Sequence, residues 1–448
     1  MTRAAPPAKP AYGWYGDDFT GATDTLATLA QAGLRTQLFL DVPGPQALAE
    51  AGPLDAIGIA GVARALPAQA LQAELAPVGR YFASAGVSVL HYKVCSTFDS
   101  AAHAGNIAAA IAALHPYVQD SCVPIVGGQP SLGRYCVFGN LYARAGADGQ
   151  VHRIDRHPTM SRHPVTPMGE ADLLRHLRAL GLPEGAALHY PDYAQPAGQL
   201  DTRLSDLMQA LRDSAPAYQA ILLDVAEPAH LSVVGGLIAR RAARARLLAV
   251  GASSVAQAWL AAQPGSPQPV PGPLALAPAQ GPVFVLAGSL SPVTARQIAN
   301  ARCYERQAAD PLRWLADERY RQDCLQRARQ ALQAGRNVLV HTAQAGAHPD
   351  AAATTHAAQA TAAFVAQTVA AMAAAGRPLR RIGVAGGDTS SLATRALALR
   401  SLSYRAALGA GVTVCRAHSA DPVLDGLELM LKGGQVGAPD LFDRLVTG

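Results

Sequence analysis

The chain has 448 residues, of which 50% are hydrophobic and 15% are charged, so we expect two or three domains with sizeable apolar cores. Its 37 Lys and Arg outnumber its 32 Asp and Glu and give a net charge of +5, but the basic residues are scattered. This pattern argues against a nucleic-acid surface and favours a small anionic ligand. The six cysteines form no C-x-x-C pair and have no metal-ligand spacing, which argues against a disulfide framework and a structural zinc site.

Two segments bear on where the protein resides. The first ten residues, MTRAAPPAKP, lack the continuous apolar core of a signal peptide, so we expect a leader without targeting value and a cytoplasmic protein with reduced thiols. Residues 356–376 form a long stretch of low polarity that includes glutamines and threonines, whereas a membrane span needs about 20 predominantly apolar residues. We therefore expect a soluble helix that packs through its alanines.

Short apolar runs alternate with longer helical patterns along most of the chain. In chain order the runs are GWYGDD, DAIGIAG, VSVLHYKV, CVPIVG, AILLDVAE, RLLAVGAS, PVFVLAGS, NVLVHTA and RIGVAGG. A strand followed by a helix, repeated in this way, is typical of parallel α/β sheets. We therefore predict an α/β protein with two domains, each with a mainly parallel sheet flanked by helices.

A segment rich in proline and glycine, residues 263–282, predicts a linker. Neither a helix interior nor a central strand tolerates this density of Pro and Gly, and the segment lies between two strand–helix regions. It divides the chain into an N-terminal domain at residues 1–262 and a C-terminal domain at residues 283–448.

The first motif that could carry chemistry is GDDFTGATD, in which an apolar run ends in Asp17 and Asp18 and a helix is expected to begin near Thr23. The two carboxylates should stand at the carboxyl end of a strand, where open α/β sheets bind ligands. Adjacent side chains on an extended segment point to opposite faces, so we expect one to reach a substrate while the other holds the loop. An Asp turn with a helix N-cap is the alternative interpretation.

The second motif, HYKVCSTFDS, is again a strand that runs into a polar loop. Lys93 lies close to the predicted strand end and would clamp an anion or a carboxylate. Ser96, Thr97 and Asp99 are suited to binding hydroxyl groups. A solvated lysine beside a capped helix explains the same residues without a ligand.

The third motif, RIDRHPTMSRHPVTPM, spans residues 153–168 and places three arginines and two histidines between prolines. It is too interrupted for regular structure and predicts a rigid loop that presents cations, Arg162 and His163 among them, to an anion. A metal site is the rival interpretation. The histidines lie six apart and Asp155 alone joins them at ligand spacing, so we expect no metal there.

Two glycine turns follow predicted strands in the C-terminal domain. In GSLSP, Ser291 is a natural helix N-cap and Pro292 fits the first helical position; the second turn is GGDTS, before the helix LATRALAL. Backbone N–H groups at a helix N-terminus bind phosphate, and two such turns would suit a polyphosphate. Neither turn matches a Walker or G-x-G-x-x-G pattern. Ordinary strand-to-helix turn chemistry is the alternative.

A third glycine turn, LKGGQVG at residues 431–437, follows a further apolar run. It would let the base or the phosphate of a ligand approach the backbone, or it is a flexible turn near the C-terminus. The sequence leaves these alternatives open.

Together these motifs resemble the four-carbon acid sugar kinase family. GDDFTGATD, YKVCSTFDS before GN, RHPVTPM before EADL, GSLSPVT, VAGGDTS and LKGGQVG occur in that family's order over nearly the whole chain. The resemblance implies ATP-dependent phosphorylation of the terminal hydroxyl of a tetronate: threonate, erythronate or 3-oxo-tetronate. It also implies that the N-terminal domain binds the acid sugar and that the C-terminal domain binds the nucleotide.

The resemblance further implies which residues form the site. The acid sugar would be bound by Asp17, Asp18, Lys93, Ser96, Asp99, Arg162 and His163. ATP would be bound by Ser289, Gly386, Gly387, Asp388, Thr389 and Gly434. We expect Asp18, with Asp17 as the runner-up, to accept the hydroxyl proton during attack on the γ-phosphorus, and Mg²⁺ to neutralise charge on the transferred group. The chain has CSTFDS and GGQVG where many members read D-S-T-L-R-G and S-G-N-F-G.

The segments RYCVFGNLYAR and DRHPTMSRHPVTPM resemble the branch of the family that acts on D-threonate, so D-threonate is the first expectation and D-erythronate or 3-oxo-tetronate the alternative. The expected partners are the acid sugar, ATP and Mg²⁺, without nucleic acid or membrane, and a homodimer is left open. A non-catalytic sensor of a sugar acid or nucleotide is the competing function. An aldolase or dehydrogenase is disfavoured because the chain has no dinucleotide fingerprint.

Overall fold

The structure, a computed structural model, describes residues 10–145, 149–163, 165–263, 275–342 and 351–448, with the side chains of 351–355 and 388 left out. Nearly all of the predicted leader, and residues 264–274 of the predicted linker, lie outside this described part. The chain divides into two units, Met1–Asp17 with Thr28–Pro271 and Asp18–Ala27 with Gly272–Gly448. The division therefore falls between the two adjacent carboxylates of the first motif.

The first unit is built on parallel strands. Its described strands are β1 (Tyr12–Gly16), β2 (Thr36–Phe39), β3 (Ala56–Ala60), β4 (Val89–Lys93), β5 (Cys122–Gly127), β6 (Arg134–Val137), β7 (Asn140–Arg144), β8 (Val151–Arg153), β9 (Gly185–Leu188), β10 (Gln219–Asp224) and β11 (Leu247–Gly251). Eight of them form a parallel sheet in the order β2-β3-β1-β4-β11-β5-β10-β9. The strands β6, β7 and β8 form a separate antiparallel sheet.

Helices follow these strands. They are α1 (Phe19–Gln31), α2 (Pro45–Ala51), α3 (Ala68–Ala85), α4 (Ile107–Leu114), α5 (Leu173–Ala179), α6 (Ala197–Ala210), α7 (His230–Ala242) and α8 (Ser254–Ala261). The first of them, α1, crosses the division because its residues up to Ala27 belong to the second unit. In α3 the residues Leu71, Leu75, Val78 and Phe82 are buried. Their spacing of three or four residues places them on one face of the helix, which explains why this segment packs as a helix against the core.

The order of the strands defines a binding edge in the first unit. The chain leaves β1 towards β2 and β3 on one side and then crosses to β4 on the other side. Gly16 at the end of β1 is level with Ala60 of β3 and with Lys93 of β4. Open α/β sheets bind ligands at such a reversal of strand order, outside the carboxyl ends of the strands.

The second unit combines parallel and antiparallel strands. Its described strands are β12 (Phe284–Ala287), β13 (Glu305–Ala308), β14 (Val338–His341), β15 (Arg381–Ala385), β16 (Ser401–Gly409), β17 (Val412–His418) and β18 (Glu428–Lys432). They lie in the order β13-β14-β12-β15-β18-β17-β16, in which the pairs up to β18 are parallel and the last two pairs are antiparallel. The helices are α9 (Pro292–Asn300), α10 (Pro311–Ala316), α11 (Glu318–Gln333), α12 (Ala351–Ala374), α13 (Gly387–Ala396) and α14 (Leu441–Thr447).

A second reversal of strand order lies at the end of β12. The chain leaves β12 towards β13 and β14 on one side and later returns through β15 on the other side. Ala287, Ala385 and Lys432, the last residues of β12, β15 and β18, lie level with one another. The three predicted glycine turns therefore begin side by side, at an edge where a nucleotide can bind.

The apolar helix α12 is packed within the second unit. By length and composition its segment His356–Ala374 would suffice to cross a membrane, the one such segment in the described part of the chain. However, Phe364 is buried and its ring stacks on Trp314 of α10 at 4.4 Å between centroids. The hydroxyl of Thr368 donates to the carbonyl of Phe364 at 2.8 Å, so this buried hydroxyl is satisfied within the helix.

The predicted fold class is confirmed. Each of the nine apolar runs forms a strand, namely β1, β3, β4, β5, β10, β11, β12, β14 and β15. The sequence patterns did not predict the antiparallel strands β6–β8 or β16 and β17, which have no helix between them. The expected start of α1 near Thr23 is wrong: α1 begins at Phe19, because Asp18 caps it.

Candidate active site

Asp17 is fixed by an arginine at the end of β1. Its backbone N–H donates to the carbonyl of Lys93 at 3.0 Å, which extends the pairing of β1 with β4 by one residue. Its carboxylate accepts from Arg64, at 2.7 Å between Nη2 and Oδ1 and 3.2 Å between Nε and Oδ2. The Asp17 side chain is 5% exposed, so this bidentate pair is largely shielded from solvent.

Lys93 lies at the carboxyl end of β4, as the sequence predicts for an anion clamp. The residue is 4% exposed. In the sheet it lies level with two glycines, Gly16 of β1 and Gly251 of β11. A buried ammonium group at the end of a parallel strand would favour an anionic ligand.

Asp99 is the centre of a buried polar cluster. Burial alone would raise its pKa, but Arg64, His163 and a hydrogen bond from the Thr97 hydroxyl together hold the pKa of Asp99 at about 2. The hydroxyl of Thr166 lies 3.5 Å from Asp99 Oδ2. Asp99 is therefore ionised at neutral pH and can accept hydrogen bonds from substrate hydroxyls.

The loop of the third motif meets this cluster through one of its two predicted residues. His163 Nδ1 accepts from the backbone N–H of Thr166 at 3.1 Å, and His163 is close enough to Asp99 to lower its pKa. Arg162 ends a short 3-10 helix, Met160–Arg162, and is exposed. Ser96 is half-buried in the loop after β4. The structure thus brings Asp99 and His163 together and leaves Arg162 at the surface.

Sequence reasoning missed two arginines in the first unit. Arg64 follows β3 in a 3-10 helix, Ala63–Ala65, and acts on both Asp17 and Asp99. Arg134 begins β6, is 8% exposed, and has an Nε atom without a hydrogen-bond partner among the described atoms. Burial lowers the pKa of the Arg134 guanidinium. The nearby Cys95 and Asp99 act in the opposite direction, but burial dominates. Arg64 stands three residues after the strand run DAIGIAG, and this nearness to a predicted strand end was the available signal for its position.

The three glycine turns of the second unit interlock. The N–H of Gly288 donates to the carbonyl of Ala385 at 2.9 Å, and the N–H of Gly386 donates to the carbonyl of Lys432 at 2.9 Å. A Cβ atom added at Gly288 would lie 2.5 Å from Thr389 Oγ1. A Cβ atom at Gly434 would lie 2.6 Å from Ser289 Oγ. These distances are too short for a side chain, so the turns require glycine to pack so closely.

Ser291 joins the first turn to the third. Its hydroxyl oxygen accepts from the N–H groups of Val293 and Thr294, at 3.2 Å and 3.3 Å, and so caps α9 as predicted. The same hydroxyl donates to the carbonyl of Gly434. The oxygen of Ser289 accepts from the Ser291 N–H at 3.2 Å. The predicted nucleotide residues Ser289 and Gly434 are therefore neighbours.

The second turn begins α13. Gly386 has a φ of 129°, a conformation that favours glycine, and its carbonyl accepts from Ser390 at 2.8 Å. Thr389 is buried in the first turn of the helix, beside Gly288. The side chain of Asp388 lies outside the described residues. The first N–H groups of α13 lack partners within the helix and suit an anion.

Asp18 belongs to the second unit, whereas Asp17 belongs to the first. Its Oδ1 accepts from the N–H of Gly21 at 2.8 Å and its Oδ2 from the hydroxyl of Thr20 at 2.6 Å, so it caps α1. Its Oδ2 would lie 3.7 Å from a Cβ atom at Gly387. The Asp18 carboxylate therefore lies beside the first turn of α13. It also caps a helix, which was the alternative interpretation of the motif GDDFTGATD.

Lys432 is a further group that sequence reasoning missed. It is fully buried at the end of β18, and its Nζ donates to the hydroxyl of Thr294 at 2.9 Å. Burial lowers the pKa of Lys432 to about 7. The motif LKGGQVG drew attention to its glycines, although a lysine at the end of an apolar run was the available signal.

The residues at the two edges are suited to different ligands. In the first unit, Lys93 and Asp99 offer a buried cation and an ionised acceptor, which suits a small acid with hydroxyl groups. In the second unit, the N-terminus of α13 and the three closely packed glycine turns suit a polyphosphate. Among the described residues, no group of three or more His, Cys, Asp or Glu is placed to hold a metal ion.

Two family models match the chain, each over one part of it. The family model of a sugar-binding N-terminal domain matches residues 12–259, and that of a nucleotide-binding C-terminal domain matches residues 284–442. Among solved structures, a Salmonella typhimurium LT2 protein is similar over 97% of this chain and 98% of its own, with a TM-score of 0.74 and 25% identity. A Haemophilus influenzae protein has a TM-score of 0.68 over the same shares, also with 25% identity.

Curated relatives add the type of activity. A 3-oxo-isoapionate kinase from Paraburkholderia graminis is 37% identical over 97% of this chain and 94% of its own length. A 3-oxo-tetronate kinase from Methylobacterium radiotolerans is 32% identical over 97% of this chain and 98% of its own. Another 3-oxo-tetronate kinase, from Cupriavidus necator, is 30% identical over 99% and 98%. The chain therefore belongs to the four-carbon acid sugar kinase family and is an ATP-dependent kinase of this kind.

Proposed function

We propose that this kinase transfers the γ-phosphoryl group of ATP to the terminal hydroxyl of a 3-oxo acid sugar, such as a 3-oxo-tetronate or 3-oxo-isoapionate. The three relatives described above are named for 3-oxo acids, which supports a 3-oxo substrate. None of these three is named for D-threonate, the substrate expected from the segments RYCVFGNLYAR and DRHPTMSRHPVTPM. D-threonate and D-erythronate therefore serve as comparison substrates.

One observation carries the mechanism: two adjacent carboxylates lie in different surroundings. Arg64 holds Asp17 at the end of β1. Asp18 caps α1 beside the first turn of α13. We assign proton transfer to Asp18, because it lies beside the proposed phosphate turn, and orientation of the loop to Asp17. The substrate hydroxyl oxygen attacks the γ-phosphorus, its proton passes to Asp18, and the bond to the ADP oxygen breaks.

The acid sugar is proposed to lie at the ends of β1 and β4. The Lys93 ammonium would bind the carboxylate of the substrate through a charge-assisted hydrogen bond. Asp99, which is ionised at neutral pH, and Ser96 would accept hydrogen bonds from substrate hydroxyls. Arg162 and His163 belong to the loop that approaches Asp99, and we propose that they bind the acid sugar from that side.

The nucleotide is proposed to lie on the glycine turns of the second unit. Ser289 and Gly434 are in close contact, and Gly386, Gly387 and Thr389 form the turn that begins α13. Backbone N–H groups at the start of α13 would bind the phosphate oxygens, and the helix dipole favours their negative charge. Asp388 follows Gly387 in this turn and completes the set predicted from the sequence.

Mg²⁺ is proposed to enter with ATP. Magnesium in kinases is commonly held by substrate phosphates and water together with one or two carboxylates, so a cluster of protein ligands is not required. Asp18 provides a carboxylate beside the α13 turn, which fits such a metal. When bound, the metal would neutralise charge on the phosphates.

The remaining assignments are also proposals. We assign acid-sugar binding to residues 1–262 and nucleotide binding to residues 283–448, joined by a linker at 263–282. We place the reaction in the cytoplasm, where ATP is supplied. We also propose a homodimer, which light scattering on the purified protein tests. A measured mass of 46.3 kDa, that of one chain, would contradict it.

The test is an ADP-release assay with Mg²⁺ and ATP across 3-oxo-tetronate, 3-oxo-isoapionate, D-threonate and D-erythronate. We expect a 3-oxo acid to give the highest kcat/KM, and removal of Mg²⁺ by a chelator to stop turnover. A preference for D-threonate would overturn the 3-oxo assignment. A folded sample that binds ATP but releases no ADP with any of the four acids would overturn the proposed function and favour the sensor.

A further inference from the structure

Lys432 is a buried cation beneath the proposed nucleotide turns. The residue is fully buried at the end of β18, between Ala385 of β15 and Val412 of β17 in the sheet. Within the described side chains it forms no ion pair. A buried ammonium without a counter-charge is costly, because its charge has lost the solvation of water.

The ammonium group is connected to the turns by hydrogen bonds. Lys432 Nζ donates to Thr294 Oγ1 at 2.9 Å, and Thr294 Oγ1 lies 3.2 Å from the carbonyl oxygen of Gly434, to which it donates. Thr294 lies in the first turn of α9, where Ser291 also donates to the Gly434 carbonyl. Lys432 therefore supports both the N-terminus of α9 and the position of the third glycine turn.

A bound triphosphate would provide the missing negative charge. Phosphate bound at the glycine turns would stabilise the protonated form of Lys432, and by linkage the protonated form would bind the phosphate more tightly. We propose that Lys432 is a positioning residue for the nucleotide, which holds the Gly434 turn through Thr294 and takes up a proton when ATP binds. This inference rests on the proposed binding of ATP at the glycine turns.

The charged surroundings of Lys432 are consistent with this role. Burial is the cause that lowers the pKa of Lys432 to about 7, so the group is partly neutral at physiological pH before ATP binds. The other titratable groups on the elements packed against it, and on β18, are Arg296 of α9, Arg381 of β15, Asp388 and Arg395 of α13, Cys415, Arg416 and His418 of β17, and Glu428 of β18. Arg381 pairs with Glu428 at the opposite end of these strands.

The experiment measures proton uptake when Mg·ATP binds to the full-length protein without acid sugar. Calorimetry at about pH 8, one unit above the pKa, in two buffers of different ionisation enthalpy gives the number of protons bound. We expect the wild type to take up a substantial fraction of a proton and Lys432→Met to take up much less. At about pH 6 we expect Lys432→Met to bind Mg·ATP about tenfold more weakly. Arg329→Met, an exposed change on α11, is the matched control and should behave as wild type.

Different results would overturn the inference and the proposed function. Unchanged proton uptake and affinity in Lys432→Met, with normal binding by the wild type, would overturn the role of Lys432 and leave the kinase assignment intact. A folded wild-type protein that does not bind Mg·ATP would overturn the proposed nucleotide site itself.

A second variant keeps the inference falsifiable if Lys432→Met does not fold. Thr294→Val removes the link from the ammonium to Gly434 but retains the lysine. We expect several-fold weaker Mg·ATP binding in this variant, and wild-type affinity would overturn the proposed link. The number of protons taken up on Mg·ATP binding distinguishes this role from a purely structural one, because a structural effect alone would not change it.

Discussion

Arg64 holds Asp17 through two parallel N–H···O contacts, 2.7 Å and 3.2 Å long, at the point where the chain passes from the first unit to the second. The same arginine lowers the pKa of Asp99. One guanidinium therefore organises two carboxylates that come from the loops after β1 and β4. This role was not apparent from the sequence, in which Arg64 is an isolated charge.

Replacing Arg64 tests that role. Arg64→Ala removes the guanidinium from the buried Asp17 carboxylate, so we expect a loss of about 3 kcal/mol in the free energy of unfolding. We also expect a higher KM for the acid sugar with a smaller change in the KM for ATP. Arg35→Ala is the control, because its ion pair with Asp55 is exposed and should contribute little. Equal stability of both variants in urea unfolding would contradict the prediction.

The proposed base is tested by Asp18→Asn. The amide oxygen can still accept from Gly21 and cap α1, so we expect the variant to fold and to bind ATP. It cannot accept the hydroxyl proton, so kcat should fall by about 10² to 10⁴. Asp213→Asn, an exposed change, is the control and should keep its kcat. Nearly unchanged turnover in Asp18→Asn would shift the role to Asp17.

The close approach of the glycine turns is tested by Gly434→Ala. The new Cβ atom would meet Ser289 Oγ at 2.6 Å, and such overpacking commonly costs about 1–3 kcal/mol. We expect about tenfold weaker ATP binding by calorimetry. Gly198→Ala on α6 adds a methyl group where nothing lies within 4 Å, and it should leave ATP affinity unchanged. Equal affinity in both variants would remove Gly434 from the nucleotide site.

The low pKa of Asp99 predicts acid sensitivity. Its pKa is about 2 in the folded protein against 3.8 for the unperturbed group, so the folded state favours the ionised form. This contribution is present above about pH 4 and is lost as the pH falls through about 2, which removes about 2 kcal/mol of stability. We expect Asp99→Asn to be less stable than the wild type at pH 5 and to approach it as the pH falls through about 2, where the carboxylate takes up its proton. Urea unfolding at several pH values measures this, and a constant difference would contradict it.

The parallel strands could be predicted from the sequence because short hydrophobic runs rich in β-branched residues are local signals. The nine runs became strands, and the polar motifs followed from the strand ends. It misplaced the start of α1, since both Asp18 and Thr23 are acceptable N-cap residues and local preference does not choose between them. The antiparallel β17 pairs with β18, and β16 pairs with β17, and such pairing is a tertiary effect.

The site was predicted as a set of motifs but not as a network. Adjacent glycines after a strand are visible in a sequence, and so are adjacent carboxylates. Arg64, Arg134 and Lys432 stand alone within apolar segments, and their importance comes from burial and from partners distant in the chain. Such partners are known only when the strands have been placed side by side.

The second unit contains residues from near both ends of the chain, and this has a consequence for biosynthesis. The N–H of Phe19 donates to Ser391, a residue 372 positions later, and Thr23 accepts from the hydroxyl of Thr413. These early residues leave the ribosome long before their partners exist. Domains of growing chains generally fold from the N-terminus, so we expect the first unit to form during translation while the start of α1 awaits its partners. The nucleotide unit can be completed only after nearly the whole polypeptide has been made.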